Sequence, residues 1–365
     1  MKRPVRIAFV SQFNDFVGGG EHSLMDLLRN LSATWQPVLV TPDAGPLSRK
    51  AASAGIDVAY LPLPKLGLAT LPALWQWLRW LRAVRPALIH ANNSRAAIYA
   101  GITGRMLGVP MIFHCRMAEK DHRLDWVIAR LATHIVANSQ ATARRFHPRF
   151  ADKTEAIYNG IDLAGCTGEI EPVRPLDVAE GRIVLCVARV SRWKRHDLVL
   201  DAFEILASRL DDLHLVMLGG SDPYDPSWME ALKARTATLP CAERIHWLGH
   251  RDDVLHLYRI ADVLVLASRV EPFGRVIVEA MASGVPVVAA NAGGPAEIIQ
   301  HGVSGMLVEG DAPEAWADAL RMVLAKGGFR DGLIANGRRR AGDFSLQRHV
   351  QAMQDMFARQ GGGRL

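Results

Sequence analysis

Two glutamates in one short segment are the residues best suited to bind a sugar. Glu271 lies in a turn of sequence E-P-F-G-R, and Glu279 lies in the helical pattern that follows. An ionised carboxylate only accepts hydrogen bonds, and every sugar hydroxyl has a proton to donate. Backbone amides near 273–276, at the predicted helix start, can bind anionic or hydroxyl groups. The alternative is a solvated Arg275/Glu279 pair four residues apart, which explains Glu279 but not the Pro-Phe-Gly turn beside Glu271.

Two other segments are suited to bind a diphosphate. Gly18, Gly19 and Gly20 precede a predicted helix, and their amides can approach an anion at its N-terminus. Arg189 and Lys194 follow a predicted strand, where open α/β sheets bind ligands, and they offer a forked and a point-like cation. Taken singly, the first segment also fits a mobile turn, and the second fits a solvated basic loop.

A single histidine completes the candidates. His114 ends the apolar run 111–113 at the carboxyl end of a predicted strand, which is a favourable position for a site. A lone histidine there is more often structural. Its neighbour Cys115 is expected to pack as a small hydrophobic residue.

Short apolar runs alternate with helical periodicity along the whole chain, which predicts an α/β protein with two Rossmann-like domains whose parallel sheets face an interdomain cleft. The predicted strands are Arg6–Val10, Val38–Thr41, Val58–Leu61, Ala87–His90, Met111–His114 and His134–Ala137, then Ile183–Val187, Leu213–Leu218, Ile245–Leu248, Val263–Ala267, Val285–Ala289 and Met306–Val308. Predicted helices include Glu21–Leu31, Leu71–Val84, Arg95–Leu107, Gln140–Phe146, Leu198–Leu210, Val276–Ser283 and Ser345–Phe357. The Gly-, Pro- and charge-rich segment 166–181 is predicted to link domains 1–165 and 182–344.

Composition excludes several classes of protein. Of 365 residues, 49% are hydrophobic and 22% charged, a balance that excludes a disordered or collagen-like chain. The net charge of +6 favours phosphates or anionic lipid surfaces as partners, but it is too modest, without interleaved aromatic residues, to indicate nucleic acid. Four widely spaced cysteines predict neither a disulfide scaffold nor a zinc ribbon. Without a signal-peptide core or an apolar run of about 18 residues, we expect a cytoplasmic protein.

The E-P-F-G segment with Glu279 resembles the E-x7-E signature of the retaining glycosyltransferases of family 4, group 1 glycosyl transferases with the two-domain GT-B fold. The resemblance extends from Ile7 to Phe357 and includes Gly18–Glu21, Arg189 with Lys194, the N-G-I-D segment 159–162 and the A-G-G-P-A-E segment 292–297. It implies that 1–165 binds the acceptor, that 182–344 binds the donor, and that the helix from Ser345 crosses back onto the first domain.

The resemblance also implies roles for single residues. The glycine turn approaches the donor diphosphate, Arg189 and Lys194 bind that diphosphate, and Glu271 contacts the donor sugar. The remaining assignments are the amides of Phe273, Gly274 and Arg275 close to sugar and phosphate, Glu279 on the ribose hydroxyls, and His114 towards the donor sugar. Arg195 departs from the family pattern, because many relatives have glycine there.

The implied activity is transfer of a sugar from a nucleoside diphosphate sugar to an acceptor hydroxyl with retention of configuration, in cell-surface polysaccharide or glycolipid synthesis with a lipid-linked or lipopolysaccharide-like acceptor. The sequence has no D-x-D motif, so we expect no metal and no other cofactor. Two alternatives stay open: a catalytically silent nucleotide-sugar-binding protein, and an isomerase or phosphorylase of the same architecture.

Segment 71–85 has three tryptophans beside three arginines. Its predicted core face is Leu71, Leu74, Trp75, Leu78 and Leu81, and Trp77 and Trp80 widen that face. One interpretation is a helix on the inner face of the membrane that brings the enzyme to a lipid-linked acceptor. The other, which the pattern favours, is a crossover helix with additional core contacts.

Overall fold

The computed structural model describes residues 4–16, 18–117, 119–168, 171 and 180–361. Contacts divide the chain into unit 1, Met1–Gly160 with Leu346–Leu365, and unit 2, Ile161–Ser345. The start of the predicted linker is a helix, Leu163–Thr167, which belongs to unit 2. Its Cys166 carbonyl accepts a hydrogen bond of 2.8 Å from Arg259 Nη2. Most of the remaining predicted linker, 169–170 and 172–179, lies outside the described residues.

Within its described residues, unit 1 has a parallel seven-stranded sheet of order β3-β2-β1-β4-β5-β6-β7. The strands are β1 Val5–Val10, β2 Trp35–Thr41, β3 Asp57–Tyr60, β4 Leu88–Ala91, β5 Met111–Cys115, β6 His134–Ala137 and β7 Thr154–Ala156. The strands β4, β5 and β6 are buried on both faces, so their sequences are nearly continuous apolar runs. The sequence missed β7, whose three residues T-E-A form no such run.

Helices cover both faces of this sheet. They are α1 Gly19–Asn30, α2 Pro46–Ser53, α3 Thr70–Val84, α4 Ser94–Leu107, α5 His122–Leu131 and α6 Gln140–Ala143. Along β5, Phe113 and Cys115 lie in a core with residues of α3, α4 and α5. The alternating residue Ile112 lies in the opposite core, with residues of α1 and α2. The sequence did not predict α2 and α5.

The predicted core face of α3 is wrong in part, since Leu81 is buried and Leu74 packs against the core but Leu71 and Trp75 are exposed. The residues of α3 that are buried are Ala73, Trp77 and Leu81, and Trp77 donates from Nε1 to the Pro62 carbonyl at 3.0 Å. Leu71 and Trp75, which were assigned to the core, have exposed fractions of 77% and 57%. Apolar residues lie all around this helix, so periodicity alone could not choose the side that packs against α4.

Within its described residues, unit 2 has a parallel six-stranded sheet of order β10-β9-β8-β11-β12-β13. The strands are β8 Arg182–Val187, β9 Leu213–Leu218, β10 Ile245–Gly249, β11 Val263–Leu266, β12 Val287–Ala290 and β13 Met306–Val308. The helices are α7 Leu163–Thr167, α8 His196–Ala207, α9 Pro226–Thr236, α10 Val254–Tyr258, α11 Arg275–Ser283, α12 Pro295–Ile298, α13 Pro313–Leu324 and α14 Gly328–Ala341.

The last helix, α15 Leu346–Gly361, belongs to unit 1. Its Met353, Met356 and Phe357 are fully buried in the core that contains Phe9 and Trp35. The Phe357 ring meets Phe9 and Trp35 edge to face, with centroids 5.9 and 5.8 Å apart. The helical spacing of apolar residues after Ser345 thus correctly predicted a helix, which packs on unit 1.

Strand order reverses once in each sheet, between β1 and β4 in unit 1 and between β8 and β11 in unit 2. Loops that leave such a pair of strands diverge to opposite faces, which opens a crevice beyond their carboxyl ends. The two-sheet parallel α/β fold class predicted from the sequence is confirmed. The residues that follow these four strands are therefore the first place to look for chemistry.

Candidate functional site

An ion pair lies at the reversal point of unit 2. Lys194 ends a short 3-10 turn after β8, and its Nζ pairs with Glu271 Oε2 in the loop after β11. The two side chains are only 13% and 11% exposed. The Arg269 amide donates to the Trp193 carbonyl at 2.8 Å, which ties the two loops together. The structure thus brings two of the predicted site residues into direct contact in a largely desolvated position.

Two glycines hold the backbone of the turn that contains Glu271. The Gly294 amide donates to the Glu271 carbonyl at 2.8 Å. A Cβ at Gly293 would lie 2.3 Å from that same carbonyl oxygen, and one at Gly294 would lie 2.2 Å from the Phe273 carbonyl oxygen. Both distances are far below van der Waals contact, so only glycine fits. The sequence singled out this Gly-Gly segment by resemblance alone, and the structure supplies its physical reason.

Phe273 itself is a packing residue. Its side chain is 2% exposed and meets the Phe344 ring at a centroid distance of 5.7 Å. Gly274 follows with a φ of 101° and precedes the first residue of α11. The ring therefore anchors the turn by packing, so the resemblance's assignment of Phe273 to ligand binding concerns its backbone amide rather than its side chain.

Glu279 contacts Arg275 and Tyr258 in unit 2. Its Oε1 lies 3.6 Å from Arg275 Nε, and its Oε2 accepts a hydrogen bond of 3.3 Å from the Tyr258 hydroxyl. The Arg275/Glu279 pair foreseen as an alternative is thus present, but its side chains are only 16% and 20% exposed. Burial, and secondarily Glu279, raises the pKa of Tyr258 well above its usual value. The sequence missed Tyr258, because no motif surrounds it.

The basic loop after β8 contains three arginines, and Arg192 among them is exposed and pairs through Nε with Asp225 Oδ2 at 2.7 Å. Arg189 is exposed, whereas Arg195 Nη1 pairs with Asp311 Oδ1 at 2.7 Å. Arg195 has a φ of 57°, in the left-handed region that favours glycine. The glycine that the resemblance implies at this position would adopt this φ without strain, and Arg195 adopts it as well.

The glycine turn of unit 1 caps α1. The Gly18 amide donates to Glu21 Oε2 at 3.0 Å, so a carboxylate of the first helical turn already interacts with the helix N-terminus. Gly19 is exposed, and the Arg116 side chain lies beside Gly20, 3.7 Å from the position of a Cβ there. Arg116 therefore adds a cation to the predicted anion site, although its sequence context gave no signal.

Two asparagines that follow β4 complete this part of unit 1. Asn93 Oδ1 accepts from the Gln12 amide at 2.8 Å, and Asn92 Oδ1 accepts from Arg116 Nη1. Both contacts fix loops at the reversal point of the sheet. The asparagine pair 92–93, one residue beyond the predicted strand Ala87–His90, was a usable signal that the sequence analysis did not take up.

His114 lies inside unit 1. It is fully buried, its Nδ1 lies 3.2 Å from His90 Nε2, and its ring centroid lies 6.4 Å from that of His349. Burial first, and the nearby Arg116 second, lowers the pKa of both His90 and His114 well below the usual value. Both imidazoles are therefore neutral at neutral pH. Neighbouring Cys115 is also buried, and burial raises its pKa, so it packs as a hydrophobic residue as expected.

No group of three or more His, Cys, Asp or Glu side chains that could hold a metal ion occurs among the described residues. The same part of the chain contains no helix long and apolar enough to cross a bilayer.

Two family models match the chain, one in each unit. The model described as glycosyl transferases group 1 matches residues 171–340, and the model described as Glycosyltransferase Family 4 matches residues 17–164. Both matches agree with the resemblance noted from the E-P-F-G segment.

Similar sequences include proteins named D-inositol 3-phosphate glycosyltransferase. The one from Salinispora tropica is 34% identical over 244 residues, which cover 62% of this chain and 51% of the relative. The one from Jonesia denitrificans is 30% identical over 240 residues, covering 62% and 56%. The chain thus spans about half the length of these relatives.

Solved structures share the fold over almost the whole chain. HepE from Anabaena, solved in complex with UDP and glucose, superposes with a TM-score of 0.84 at 24% identity and covers 97% of this chain and 99% of its own. WaaG, a glycosyltransferase involved in lipopolysaccharide biosynthesis, gives a TM-score of 0.70 at 16% identity and covers 96% and 99%. At these identities the likeness extends to the fold alone.

Proposed function

Because the chain belongs to the group 1 glycosyl transferases of GT-B fold, we propose that it transfers a sugar from a nucleoside diphosphate sugar to an acceptor hydroxyl. The observation that supports this most is the Lys194–Glu271 pair at the reversal point of the unit 2 sheet, beside the start of α11. A cation and an acceptor-only carboxylate in contact suit the two adjoining parts of such a donor, its diphosphate and its sugar.

The proposed chemistry assigns one task to each group. As the bond from sugar C1 to the phosphate oxygen breaks, negative charge grows on the leaving diphosphate. In this proposal, Lys194, Arg189 and the amides at the N-terminus of α11 stabilise that charge. Glu271 accepts a hydrogen bond from a sugar hydroxyl and orients the ring. The acceptor oxygen bonds to C1 on the face that the phosphate leaves, and the acceptor proton passes to the phosphate, which retains configuration.

Glu279 and His114 have subsidiary parts in this proposal. Glu279, oriented by Arg275 and Tyr258, accepts hydrogen bonds from the ribose hydroxyls. His114 is neutral and contributes a hydrogen bond to the donor sugar rather than a charge. The glycine turn with Arg116 contributes amides and a cation towards the diphosphate.

We propose that no metal takes part, because the sequence lacks the D-x-D motif with which the other major glycosyltransferase fold binds a metal-bridged diphosphate. Full turnover in excess chelator is the expected result. Loss of turnover that magnesium or manganese restores would contradict this part of the proposal.

The decisive test is release of nucleoside diphosphate. Thermal shift first selects the donor from a panel that includes UDP-glucose and GDP-mannose, because a bound ligand raises the melting temperature by mass action. Released diphosphate is then measured with acceptors, beginning with D-inositol 3-phosphate, for which the relatives are named, and including lipid-linked and lipopolysaccharide-like sugars. Acceptor-dependent release supports transfer. A thermal shift without release indicates a silent binding protein, and conversion of donor or phosphate without an acceptor indicates an isomerase or phosphorylase.

A further inference from the structure

Large apolar side chains project from unit 1 along α3 and the loop before it. Leu68 is fully exposed, and Leu66, Leu71 and Trp75 are 64%, 77% and 57% exposed. Single exposed hydrophobic residues are ordinary, but a group of four within ten residues marks an interaction surface. We define the α3 face as Leu66, Leu68, Leu71, Trp75, Arg79 and Arg82.

The helical members of the α3 face lie on one side of the helix. At about 100° per residue, Leu71, Trp75, Arg79 and Arg82 fall within a wedge of roughly 80°, on the side away from the buried Trp77. The Arg79 guanidinium lies 4.6 Å from the Trp75 ring centroid. The face is therefore amphipathic along its length, apolar at the start of α3 and basic towards its end.

Charge in this part of the chain has one sign. Between Asp57 and Glu119 the sequence contains no acidic residue and seven basic ones, whereas the whole chain has a net charge of only +6. Lys65, Arg79, Arg82 and Arg85 are exposed. Among the described residues, none of these four has a carboxylate within ion-pair distance. Their positive charge is thus uncompensated by neighbours.

A second helix of the same layer repeats this combination. Trp126 on α5 is 45% exposed, and the Arg130 guanidinium lies 4.8 Å from its ring centroid. Residues of α3, α4 and α5 share one core beneath. The pairing of exposed tryptophan with arginine is therefore a property of this layer of unit 1 and not of one helix.

We propose that the α3 face docks on the surface of a bilayer that contains anionic lipids. Leu66, Leu68, Leu71 and Trp75 enter the boundary between headgroups and acyl chains, where tryptophan is favoured. Arg79 and Arg82 contact lipid phosphates, each strengthening binding about fivefold near an anionic surface. The single-signed charge favours this occupant over a protein surface, which would present a mixture of charges. Docking of this kind requires no activity, so it can be tested apart from the proposed function.

The test is co-sedimentation of the full chain with vesicles of phosphatidylcholine alone or with phosphatidylglycerol. Two double variants divide the face, Leu68→Ser/Trp75→Ser for its apolar part and Arg79→Glu/Arg82→Glu for its charge. Matched controls in unit 2 are Tyr224→Ser, at an 87% exposed aromatic residue, and Arg209→Glu/Arg321→Glu, which changes net charge equally at exposed positions. Trp77→Glu is unsuitable, because Trp77 is a core residue.

We expect wild type and both controls to bind the anionic vesicles, with binding to phosphatidylcholine at least tenfold weaker. Each α3-face double variant should lose at least tenfold in binding with its melting temperature unchanged. Salt at 0.5 M should weaken wild-type binding but affect the Arg79→Glu/Arg82→Glu variant little, because salt screens the arginines. Absence of wild-type binding, equal binding to both vesicle types, or undiminished binding of the α3-face variants would overturn the proposal. Unaltered donor-dependent turnover of these variants in solution would separate docking from catalysis.

Discussion

Breaking the Lys194–Glu271 pair should destabilise unit 2 as well as stop turnover. Removing one partner of a buried ion pair costs about 3–5 kcal/mol, because the other charge is left without compensation. The residual exposure of 13% and 11% gives solvent some access, so we expect the low end, about 3 kcal/mol, for Lys194→Met. In a domain of 150–250 residues each kcal/mol lowers the melting temperature by roughly 2–4 °C. The expected fall is therefore about 6–12 °C.

A double-mutant cycle separates the structural from the functional part of this effect. Lys194→Met and Glu271→Gln should each lower the melting temperature, whereas the double variant removes both charges and should regain at least half of the loss. Turnover should fall by about 10²–10³-fold in the Lys194→Met variant, the usual cost of one group that stabilises transition-state charge, and it should not recover in the double variant. Calorimetry of the full chain and diphosphate release measure the two effects independently.

A surface pair provides the control. Lys233 and Glu230 lie three residues apart at 3.8 Å, with side chains 41% and 75% exposed, and Lys233→Met should change stability by less than about 1 kcal/mol. If Lys194→Met likewise left the melting temperature within 1 °C, the pair would be solvated rather than buried and the reasoning would be refuted. The sequence alone predicts that Glu271→Ala and Lys194→Ala abolish transfer with a nearly intact melting temperature, because nothing in the sequence shows that the two charges meet; the ion pair changes that prediction to a loss of stability.

Three other outcomes follow from single residues. Gly294→Ala should abolish donor binding and lower stability, because its Cβ would lie 2.2 Å from the Phe273 carbonyl oxygen. Gly332→Ala is the control, and with open space around it this change should be neutral or stabilising. Melting temperatures with and without donor distinguish the two variants. Burial lowers the pKa of His196 to about 4, whereas the same side chain in the unfolded chain binds its proton near pH 6.5. The free energy of unfolding should therefore fall by about 2 kcal/mol between pH 7 and pH 5. The urea midpoint of His196→Phe should depend less on pH than that of the wild type. Arg195→Gly should relieve about 1 kcal/mol of left-handed backbone strain, but it also removes the ion pair with Asp311. The two effects oppose each other, so the urea midpoint should shift by less than the equivalent of about 1 kcal/mol. A larger loss of stability would show that the ion pair contributes more than the strain costs.

The strands were predictable because of where they lie. A strand covered by helices on both faces is mostly apolar, so β4, β6 and β9 appear in the sequence as nearly continuous apolar runs, each with one histidine. β7 has intermediate burial at all three positions and gives no such signal. The buried side of α3 was hard to predict for the opposite reason. Apolar residues lie on several sides of this helix, so tertiary contacts decide which side is buried.

The sequence could single out candidate residues but could not show how they pair. Glu271 and Lys194 could be placed after predicted strands, yet their contact requires β8 and β11 to be neighbours, which depends on the order of strands in the sheet. The same holds for Tyr258 and Glu279, which lie on different helices and meet only after folding. Local sequence shows which groups are available, and topology decides which of them touch.

In both sheets, polar side chains lie near the carboxyl ends of the central strands. The two places differ in how completely those side chains are removed from solvent. In unit 2 the loops after β8 and β11 bring the opposite charges of Lys194 and Glu271 together, in a position where loss of either partner would be costly. In unit 1 His114 is buried against His90, where an imidazolium would be costly and the neutral form is retained. A charged ligand can take the place of one partner in the Lys194–Glu271 pair, but it cannot do so in the neutral His114–His90 pair. We therefore expect unit 2 rather than unit 1 to make the stronger contacts to the proposed diphosphate.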